Sequence, residues 1–189
     1  MTRTATRVLC ALLAAALRAT AARAGGAVCV EAEAAATVEK PMVLVRESAP
    51  PEGIKAVEGA SEHAYLEIPQ GAGNPPTNNA GKAVFALDVP ADGDYAVWLR
   101  AYWDDSCGNS FTVQVDDKPG FVMGEDATYR AWHWVRYPVS KMAPPPHLAK
   151  GSHTLTILNR EDGVRLDQVL LSADKRFVPV DIEKTGARP

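Results

Sequence analysis

Cysteine and histidine are scarce in this sequence of 189 residues, which has three cysteines and four histidines. The sequence also lacks the HExxH metal motif, the GxSxG nucleophile turn and the glycine-rich phosphate-binding loop. Only two cysteines follow residue 24, too few for a structural zinc site. These absences argue against zinc-protease, α/β-hydrolase and nucleotide-dependent chemistry.

Positive charge is also in short supply. The chain has 20 basic and 23 acidic residues, and four of the arginines lie in residues 1–24, which hold no acid. Without that segment the count is 16 basic and 23 acidic residues, a net charge of −7. Because nucleic acids and anionic membranes are bound largely through Lys and Arg, we expect neither as a partner.

Residues 1–24 have the three parts of a secretory signal peptide. Arg3 and Arg7 precede an apolar run from Val8 to Leu17, and Ala22-Arg23-Ala24 is a small-x-small cleavage site. The run is shorter than the roughly 20 apolar residues that span a bilayer. We therefore predict a signal peptide over residues 1–24 and a secreted or periplasmic mature chain without membrane insertion.

Export would change the number of cysteines, because Cys10 would be removed with the signal peptide. Cys29 and Cys107 would then remain in an oxidising compartment. They could form one disulfide or stay as two separate thiols, and the sequence alone leaves both alternatives open.

Short alternating stretches separated by turn-forming residues dominate the rest of the chain. In residues 110–116, Phe111, Val113 and Val115 alternate with polar residues, as expected for a half-buried antiparallel strand. Similar stretches cover residues 28–33, 64–68, 83–89, 94–103, 132–139, 152–158 and 164–171. Many short strands with regular turns predict an all-β fold, a sandwich of two antiparallel sheets. We place it in one domain, residues 25–179, followed by a polar tail at 180–189.

Aromatic residues make up only 7% of the chain, but several occur close together. Trp103 ends a predicted strand, and Trp132 and Trp134 are two residues apart, so on a strand they share a face. Exposed indoles can stack on sugar rings, and neighbouring polar groups can hydrogen-bond the hydroxyls. The same side chains could instead fill the core. Trp103, at a strand–loop junction, is the tryptophan we expect to be exposed; the polar residues that follow it include Asp104, Asp105 and Asn109.

Three acidic residues fall on the first and last predicted strands. Glu31 and Glu33 point to the same side of one strand, and Asp167 lies on the other. If these strands are neighbours, three carboxylates converge and a cation such as Ca²⁺ would relieve their repulsion. An exposed acidic face paired with Lys or Arg is the alternative. Paired carboxylates could also hydrolyse a glycosidic bond, although nothing marks one pair.

Six segments occur in order over residues 28–179: VEAEAA, ASEHAYLEIP, GKAVFALDVPADGDYAVWLRA, NSFTVQVDD, KGSHTLTIL and GVRLDQVLLS. Together they resemble carbohydrate-binding modules of families 6 and 35, in the galactose-binding-like β-sandwich group. The resemblance implies a jelly-roll sandwich with a structural calcium. Carried over residue by residue, the calcium ligands would be Glu31, Glu33 and Asp167.

The resemblance also implies sugar binding by loop residues at one end of the sandwich. The matching regions are the loop after Trp103 and the segment with Trp132 and Trp134. Asn159 and Arg160 fall where such modules place a polar ligand contact. We therefore predict a secreted, non-catalytic protein that binds polysaccharide or oligosaccharide, with a separate glycan-active enzyme as a further partner. The rival hypotheses are a small glycan hydrolase or lyase, and a structural or adhesion module without a sugar site.

Overall fold

The strands of this protein form two facing antiparallel sheets, as seen in a computed structural model that describes residues 26–72, 81–140 and 143–185. The predicted signal peptide, most of the loop at 70–81 and the last four residues lie outside the described residues. The strands are β1 (Ala27–Glu31), β2 (Thr37–Glu39), β3 (Val43–Arg46), β4 (Ala64–Ile68), β5 (Lys82–Val89), β6 (Gly93–Asp94), β7 (Ala96–Trp103), β8 (Ser110–Val115), β9 (Phe121–Gly124), β10 (His133–Tyr137), β11 (His147–Leu148), β12 (Gly151–Leu158) and β13 (Val164–Ser172).

The first sheet has the strand order β10-β7-β13-β4-β3, with β1 also paired to β13. The second sheet has the order β2-β5-β12-β8-β9, and β6 pairs with β11 beside them. All of these pairings are antiparallel. The predicted all-β sandwich of two antiparallel sheets is confirmed, and so is the expectation that the first and last strands are neighbours.

The core lies between the sheets and follows the alternation read from the sequence. Phe111, Val113 and Val115 of β8 are buried, while Thr112 and Gln114 between them are partly exposed. Leu99 of β7 and Ile157 of β12 belong to the same buried cluster. Each fully buried side chain of this size contributes about 1.5–3 kcal/mol to stability, so the two-layer packing accounts for the fold.

The other face of the first sheet, which we call the outer face, is covered as well. All nine residues of β13 are buried, including Arg165 and Gln168, which point away from the core. Two segments provide the cover, residues 47–63 on one side and residues 174–183 on the other. The start of the predicted polar tail at 180–189 belongs to this cover, since Glu183 is buried against Gln168.

Cys29 and Cys107 lie at different heights of the sandwich. Cys29 pairs with Leu170 of β13, whereas Cys107 follows Trp103, which pairs with Val164 of the same strand. Six residues of an extended strand cover roughly 20 Å, far beyond the reach of a disulfide. Within the described chain the two cysteines form no disulfide with each other, so that alternative is wrong.

Candidate functional site

Three described connections gather at one end of the sandwich, because Trp103 of β7 pairs with Val164 of β13 and Tyr129 is bridged to Trp103. We call this the loop end, and its described parts used here are residues 104–109, 125–132 and 159–163. Asp104, Asp105, Asn109, Asn159 and Arg160 all belong to it. The expected loop residues therefore lie on connections that share one end.

Trp103 does not present its ring to solvent. It is fully buried, with ring centroids 5.6 Å from Phe111 and 5.7 Å from His133. Its Nε1 makes a long hydrogen bond of 3.4 Å to Asp126 Oδ2. The expectation of an exposed Trp103 is wrong. The residue continues the alternation of Leu99 and Ala101, whose side chains point inward, so its indole packs in the core of the sandwich.

Tyr129 supplies the exposed ring at the loop end instead. At 37% exposure it is the one aromatic residue among the large apolar side chains that the described chain leaves exposed. Sequence reasoning missed it, although it lies three residues before Trp132 in the same aromatic group. The signal that could have found it is its place on a turn-rich connection, where no strand alternation directs a side chain inward.

The loop that carries Tyr129 is held in place by hydrogen bonds. The Asn109 carbonyl accepts from Glu125 N at 2.8 Å, and Asn109 Nδ2 donates to Asp126 O at 3.0 Å. On the other side of Tyr129, Arg130 N donates 2.7 Å to the carbonyl of the last residue of β7. Glu125 and Arg130 both have positive φ, which sets the path of the loop. The ring is therefore preorganised rather than carried on a free loop.

Ion pairs engage most of the charged groups around Tyr129. Asp104, whose side chain is 44% exposed, accepts from Arg165 Nη1 at 3.0 Å. Arg160 Nη2 donates to Glu125 Oε1 at 3.0 Å, and its Nη1 donates to Glu161 Oε1 at 2.7 Å. These pairs fix polar groups close to the aromatic loop while leaving part of each at the surface.

Asn159 has a different environment. It is buried, and neither Nδ2 nor Oδ1 has a hydrogen-bond partner among the described residues. Its backbone N donates to Gly81 O at 2.8 Å, which places it against the start of β5. An unsatisfied buried amide costs about 1–3 kcal/mol, so this side chain calls for a water or ligand partner.

The side chains of Trp132 and Trp134 pack on the outer face of the first sheet, although Trp132 ends the connection that carries Tyr129. Trp132 packs edge-to-face on Tyr65 and Tyr102 at 5.5 and 5.4 Å, and its Nε1 donates to Glu58 O at 3.0 Å. Trp134 packs in the cluster of Trp98, and its Nε1 donates to a backbone carbonyl of the C-terminal segment. A pocket of about 480 Å³ lies in the cover near Trp132, lined by Glu47, Ser48, Glu58, Gly59 and His63. The structure thus does not combine these indoles with Trp103 in one platform.

Glu31, the last residue of β1, and Asp167 of β13 lie below the cover, as expected for neighbouring strands. Glu33 does not share with Glu31 the strand that the alternation predicted, because the chain enters a short 3-10 helix at Ala32–Ala34. Asp167 is fully buried; Oδ1 accepts from Ser61 N at 2.8 Å and Oδ2 is paired with Arg100. Glu31 Oε1 accepts from Ser61 Oγ at 3.0 Å and from Gln168 Nε2 at 2.9 Å. Burial raises the pKa of Glu31 to about 7, against the lowering effect of these two hydrogen bonds, and the charge of Glu33 adds to the rise.

Two carboxylate oxygens in this cluster remain open. Glu31 Oε2 and Glu33 Oε2 are buried without a hydrogen-bond partner in the described chain. Burial also raises the pKa of Glu33 and of Asp167, since a charged carboxylate is disfavoured there. Within the described ranges no three acidic, histidine or cysteine side chains form a metal-binding group. The described side chains thus offer two unpaired carboxylate oxygens, of the hard type that calcium prefers, but no complete set of metal ligands.

No family model matches the sequence and no curated protein is significantly similar to it, so the likeness to known proteins is one of fold. The structure superimposes on a GH26-CBM35 β-(1,4)-mannanase from Podospora anserina with a TM-score of 0.59 and 16% identity, over 85% of this chain and 30% of that one. A family 35 carbohydrate-binding module from Clostridium thermocellum matches with a TM-score of 0.54 and 16% identity, over 78% and 98% of the chains.

The C-terminal CBM6 of a marine laminarinase from Zobellia galactanivorans matches with a TM-score of 0.51 and 12% identity, over 77% and 98% of the two chains. The chain has the fold of family 6 and family 35 carbohydrate-binding modules. It spans about 30% of the length of the mannanase and nearly all of the two isolated modules. In this carbohydrate-binding-module fold, none of the described helices is long and apolar enough to serve as a membrane span.

Proposed function

We propose that this protein binds a polysaccharide or oligosaccharide at the loop end, with Tyr129 as the ring on which a sugar lies. The observation that carries the proposal is that the ring of Tyr129 is exposed on a loop held in place by hydrogen bonds. The fold is that of carbohydrate-binding modules. Stacking of this kind contributes about 0.5–1.5 kcal/mol per ring beyond area burial. Because water competes for every hydroxyl, we expect weak binding that a few polar contacts strengthen.

The polar residues of the loop end have separate roles in this proposal. Asp104, Asp105 and Arg160 are partly or fully exposed and would hydrogen-bond sugar hydroxyls. Asn159 offers an amide donor and an acceptor that the described chain leaves without a partner. Asn109 is a positioning residue, since its amide and carbonyl already hold the Tyr129 loop.

We also propose that the protein is non-catalytic. Glycoside hydrolysis needs one carboxylic acid with a raised pKa facing a second carboxylate. At the loop end Glu125 and Glu161 pair with Arg160, and Asp104 pairs with Arg165. Burial raises the pKa of Asp126, but hydrogen bonds from Thr128 N and His133 outweigh it and hold the pKa below its usual value. These groups suit anchoring and hydrogen bonding better than proton transfer.

Calcium and secretion complete the proposal. Glu31 and Glu33 would hold a calcium ion through their open oxygens, with Asp167 beside them, and bound calcium would neutralise this buried acidic cluster. Secretion rests on the signal-peptide pattern of residues 1–24, and a separate glycan-active enzyme remains the expected partner.

The first prediction tests the loop end with the mature chain on a glycan array and then by calorimetry with the best-binding soluble glycan. We expect Tyr129→Ala to weaken binding at least tenfold, because the stacking surface is lost, and to lower Tm less than Trp103→Ala does, since Tyr129 is partly exposed and Trp103 is fully buried. Tyr129→Phe, which keeps the ring, should bind nearly as the unchanged protein does.

The matched control is Val178→Ala, which trims an exposed apolar residue on the C-terminal segment, away from the loops. Full affinity in Tyr129→Ala would overturn the loop-end site. Binding to no glycan on the array would favour the structural or adhesion module instead. Release of sugars from the bound glycan by the purified chain would favour the hydrolase or lyase.

A further inference from the structure

We propose that Asp126 and His133 form a positioning pair for Tyr129, and that protonation of His133 strengthens glycan binding at the loop end. This inference rests on the sugar site of the proposed function. It adds to that site two residues that act on the stacking ring through its loop rather than by contact with the sugar, and it makes the site dependent on pH.

The imidazole of His133 lies between two oxygen acceptors. Its Nε2 is 3.0 Å from Asp126 Oδ2, and its Nδ1 is 3.0 Å from the carbonyl oxygen of Ala131. A neutral imidazole carries one N–H and can donate to only one of these oxygens, whereas the protonated ring donates to both. The two contacts together therefore favour the protonated ring, and its bond to the Asp126 carboxylate is charge-assisted.

Asp126 and Ala131 lie on either side of Tyr129 in the same connection. Asp126 Oδ1 accepts from Thr128 N at 2.7 Å, so the carboxylate that faces His133 also fixes the residue before Tyr129. Deprotonation leaves a lone pair of the imidazole against one of the two acceptor oxygens, and one end of the Tyr129 segment loses its contact. A less restrained ring loses more conformational entropy on stacking, so glycan affinity falls as His133 loses its proton.

The described strands packed around His133 do not bring a competing charge to its ring. β9 packs beside β10 and consists of uncharged residues, Phe121–Gly124. β7 places the indole of Trp103 against the imidazole, with ring centroids 5.7 Å apart. Arg100, the charged residue of β7, lies on the outer face and is paired with Asp167.

The connection between β9 and β10 has two charged side chains besides Asp126. Glu125 is paired with Arg160 at 3.0 Å, and Arg130 is exposed. The His133 side chain is only 15% exposed, so solvent screens its pair with Asp126 in part. Because the pKa of Asp126 stays below its usual value despite burial, this carboxylate remains charged while the imidazole titrates.

The test measures affinity by calorimetry at pH 5.5 and pH 8.0, with the full mature chain and the best-binding uncharged glycan of the array. We expect the affinity of the unchanged protein to fall at least threefold at pH 8.0. His133→Gln puts an amide that does not titrate in the same place, so its affinity should be equal at the two pH values. The matched control is His147→Gln, which removes an exposed histidine paired with Asp94 before the start of β7 and should keep the full fall.

Asp126→Asn reverses the preference of the pair for a proton. Its Oδ1 can still accept from Thr128 N, while its amide nitrogen can donate to the unprotonated Nε2 of His133. The neutral imidazole then suits the loop, so the affinity of this variant should no longer fall at pH 8.0.

Proton uptake is a readout that a loss of stability would not imitate. By linkage, glycan binding must favour protonation of His133 by the factor with which protonation favours glycan binding. Calorimetry at pH 7 in buffers of different ionisation enthalpy should therefore show proton uptake on binding, which His133→Gln should lack. Burial raises the pKa of Glu31 to about 7, so this group titrates in the same range, but it lies on the outer face and is unaltered in the variant.

The outcomes separate this inference from the proposed function. Affinity independent of pH in the unchanged protein, or a fall that persists in His133→Gln, would overturn the positioning pair and leave glycan binding at Tyr129 standing. If no glycan binds, the proposed function fails, and the pair is then tested in the free protein by nuclear magnetic resonance. The amide shift of Thr128 should follow the titration of the His133 imidazole, and independence of the two would overturn the pair.

Discussion

At the scale of single residues, the fate of each aromatic ring depends on whether it continues a strand. Trp103 is the last residue of β7 and keeps the inward direction of Leu99 and Ala101, so its indole enters the core. Tyr129 lies on a connection between strands and has no such constraint. The sequence places both rings near the loop end but does not tell which faces water, because that depends on where β7 stops.

Trp103→Ala is the residue-scale prediction. Truncating a fully buried indole leaves a cavity, and we expect a loss of about 3–5 kcal/mol in the free energy of unfolding. Urea titration followed by far-ultraviolet circular dichroism measures it, with Tyr129→Ala as the exposed comparison. A nearly unchanged unfolding free energy together with lost glycan binding would contradict the core position and return Trp103 to the binding surface.

The acidic cluster shows the limit of residue patterns for a site. The sequence led correctly to β1 and β13 as neighbours, but its alternation placed Glu33 on β1, whereas the strand ends at Glu31 and Glu33 lies in a short 3-10 helix. Arg100 and Ser61, which occupy both oxygens of Asp167, come from far along the chain. No local sequence pattern predicts these partners, because they reach Asp167 only once the sheet and its cover have formed.

At the scale of elements, the longer strands were predictable and the shortest were not. The alternation in residues 83–89 and 152–158 corresponds closely to β5 and β12. β6 and β11 have two residues each, too few for any period to be read. β13 departs from the half-buried pattern because its outward residues, although mostly polar, are covered by segments that the sequence did not connect to it.

At the turn after β8, the pairing of Asp116 with His153 predicts that the stability of the fold depends on pH. Asp116 accepts from Thr154 N at 2.9 Å, and its other oxygen lies 2.8 Å from His153 Nδ1. The hydrogen bond to Asp116 raises the pKa of His153, while His153 Nε2 lies 2.8 Å from Ala149 O. The protonated imidazole therefore stabilises the fold. This contribution is complete below the ordinary histidine pKa and is lost as pH rises through the raised value.

The measurement compares thermal unfolding of the unchanged protein and His153→Gln from pH 5.5 to 8.5. At the acid end we expect the free energy of unfolding of the unchanged protein to exceed that of the variant by up to about 1 kcal/mol. This difference should shrink as pH rises. Using the difference between the two proteins cancels the other titrating groups. A gap that is constant over this range, or that widens with pH, would argue against the pairing with Asp116.

At the scale of the whole molecule, the acidic cluster connects the first strand to the last. Glu31 is the last residue of β1 and is paired with Gln168 of β13, so an ion held there would fasten the first strand to the last. At a free calcium concentration of one hundred times Kd, binding adds about 2.7 kcal/mol to the folded state. For a domain of this size that is an increase in Tm of roughly 5–10 °C.

We therefore expect EDTA to lower the Tm of the unchanged protein, and Glu31→Gln to remove that sensitivity. Differential scanning calorimetry in calcium and in EDTA provides the comparison. Glu52→Gln, which neutralises an exposed carboxylate outside the cluster, is the matched control and should keep the full response. Superimposable melting curves in calcium and EDTA would exclude a stabilising ion.

The start of β1 and Tyr129 lie at opposite ends of the sandwich, which matters when the protein is attached to a support. Ala27 pairs with Ser172 at one pole, while Tyr129 is bridged to Trp103 at the other, and β13 separates these levels by roughly 25 Å. A bead, tag or fused catalytic unit joined upstream of Gly26 would thus leave the chain at the pole remote from the tyrosine. If the protein is immobilised through that attachment, the loop end, where we propose that glycan binds, would point away from the support.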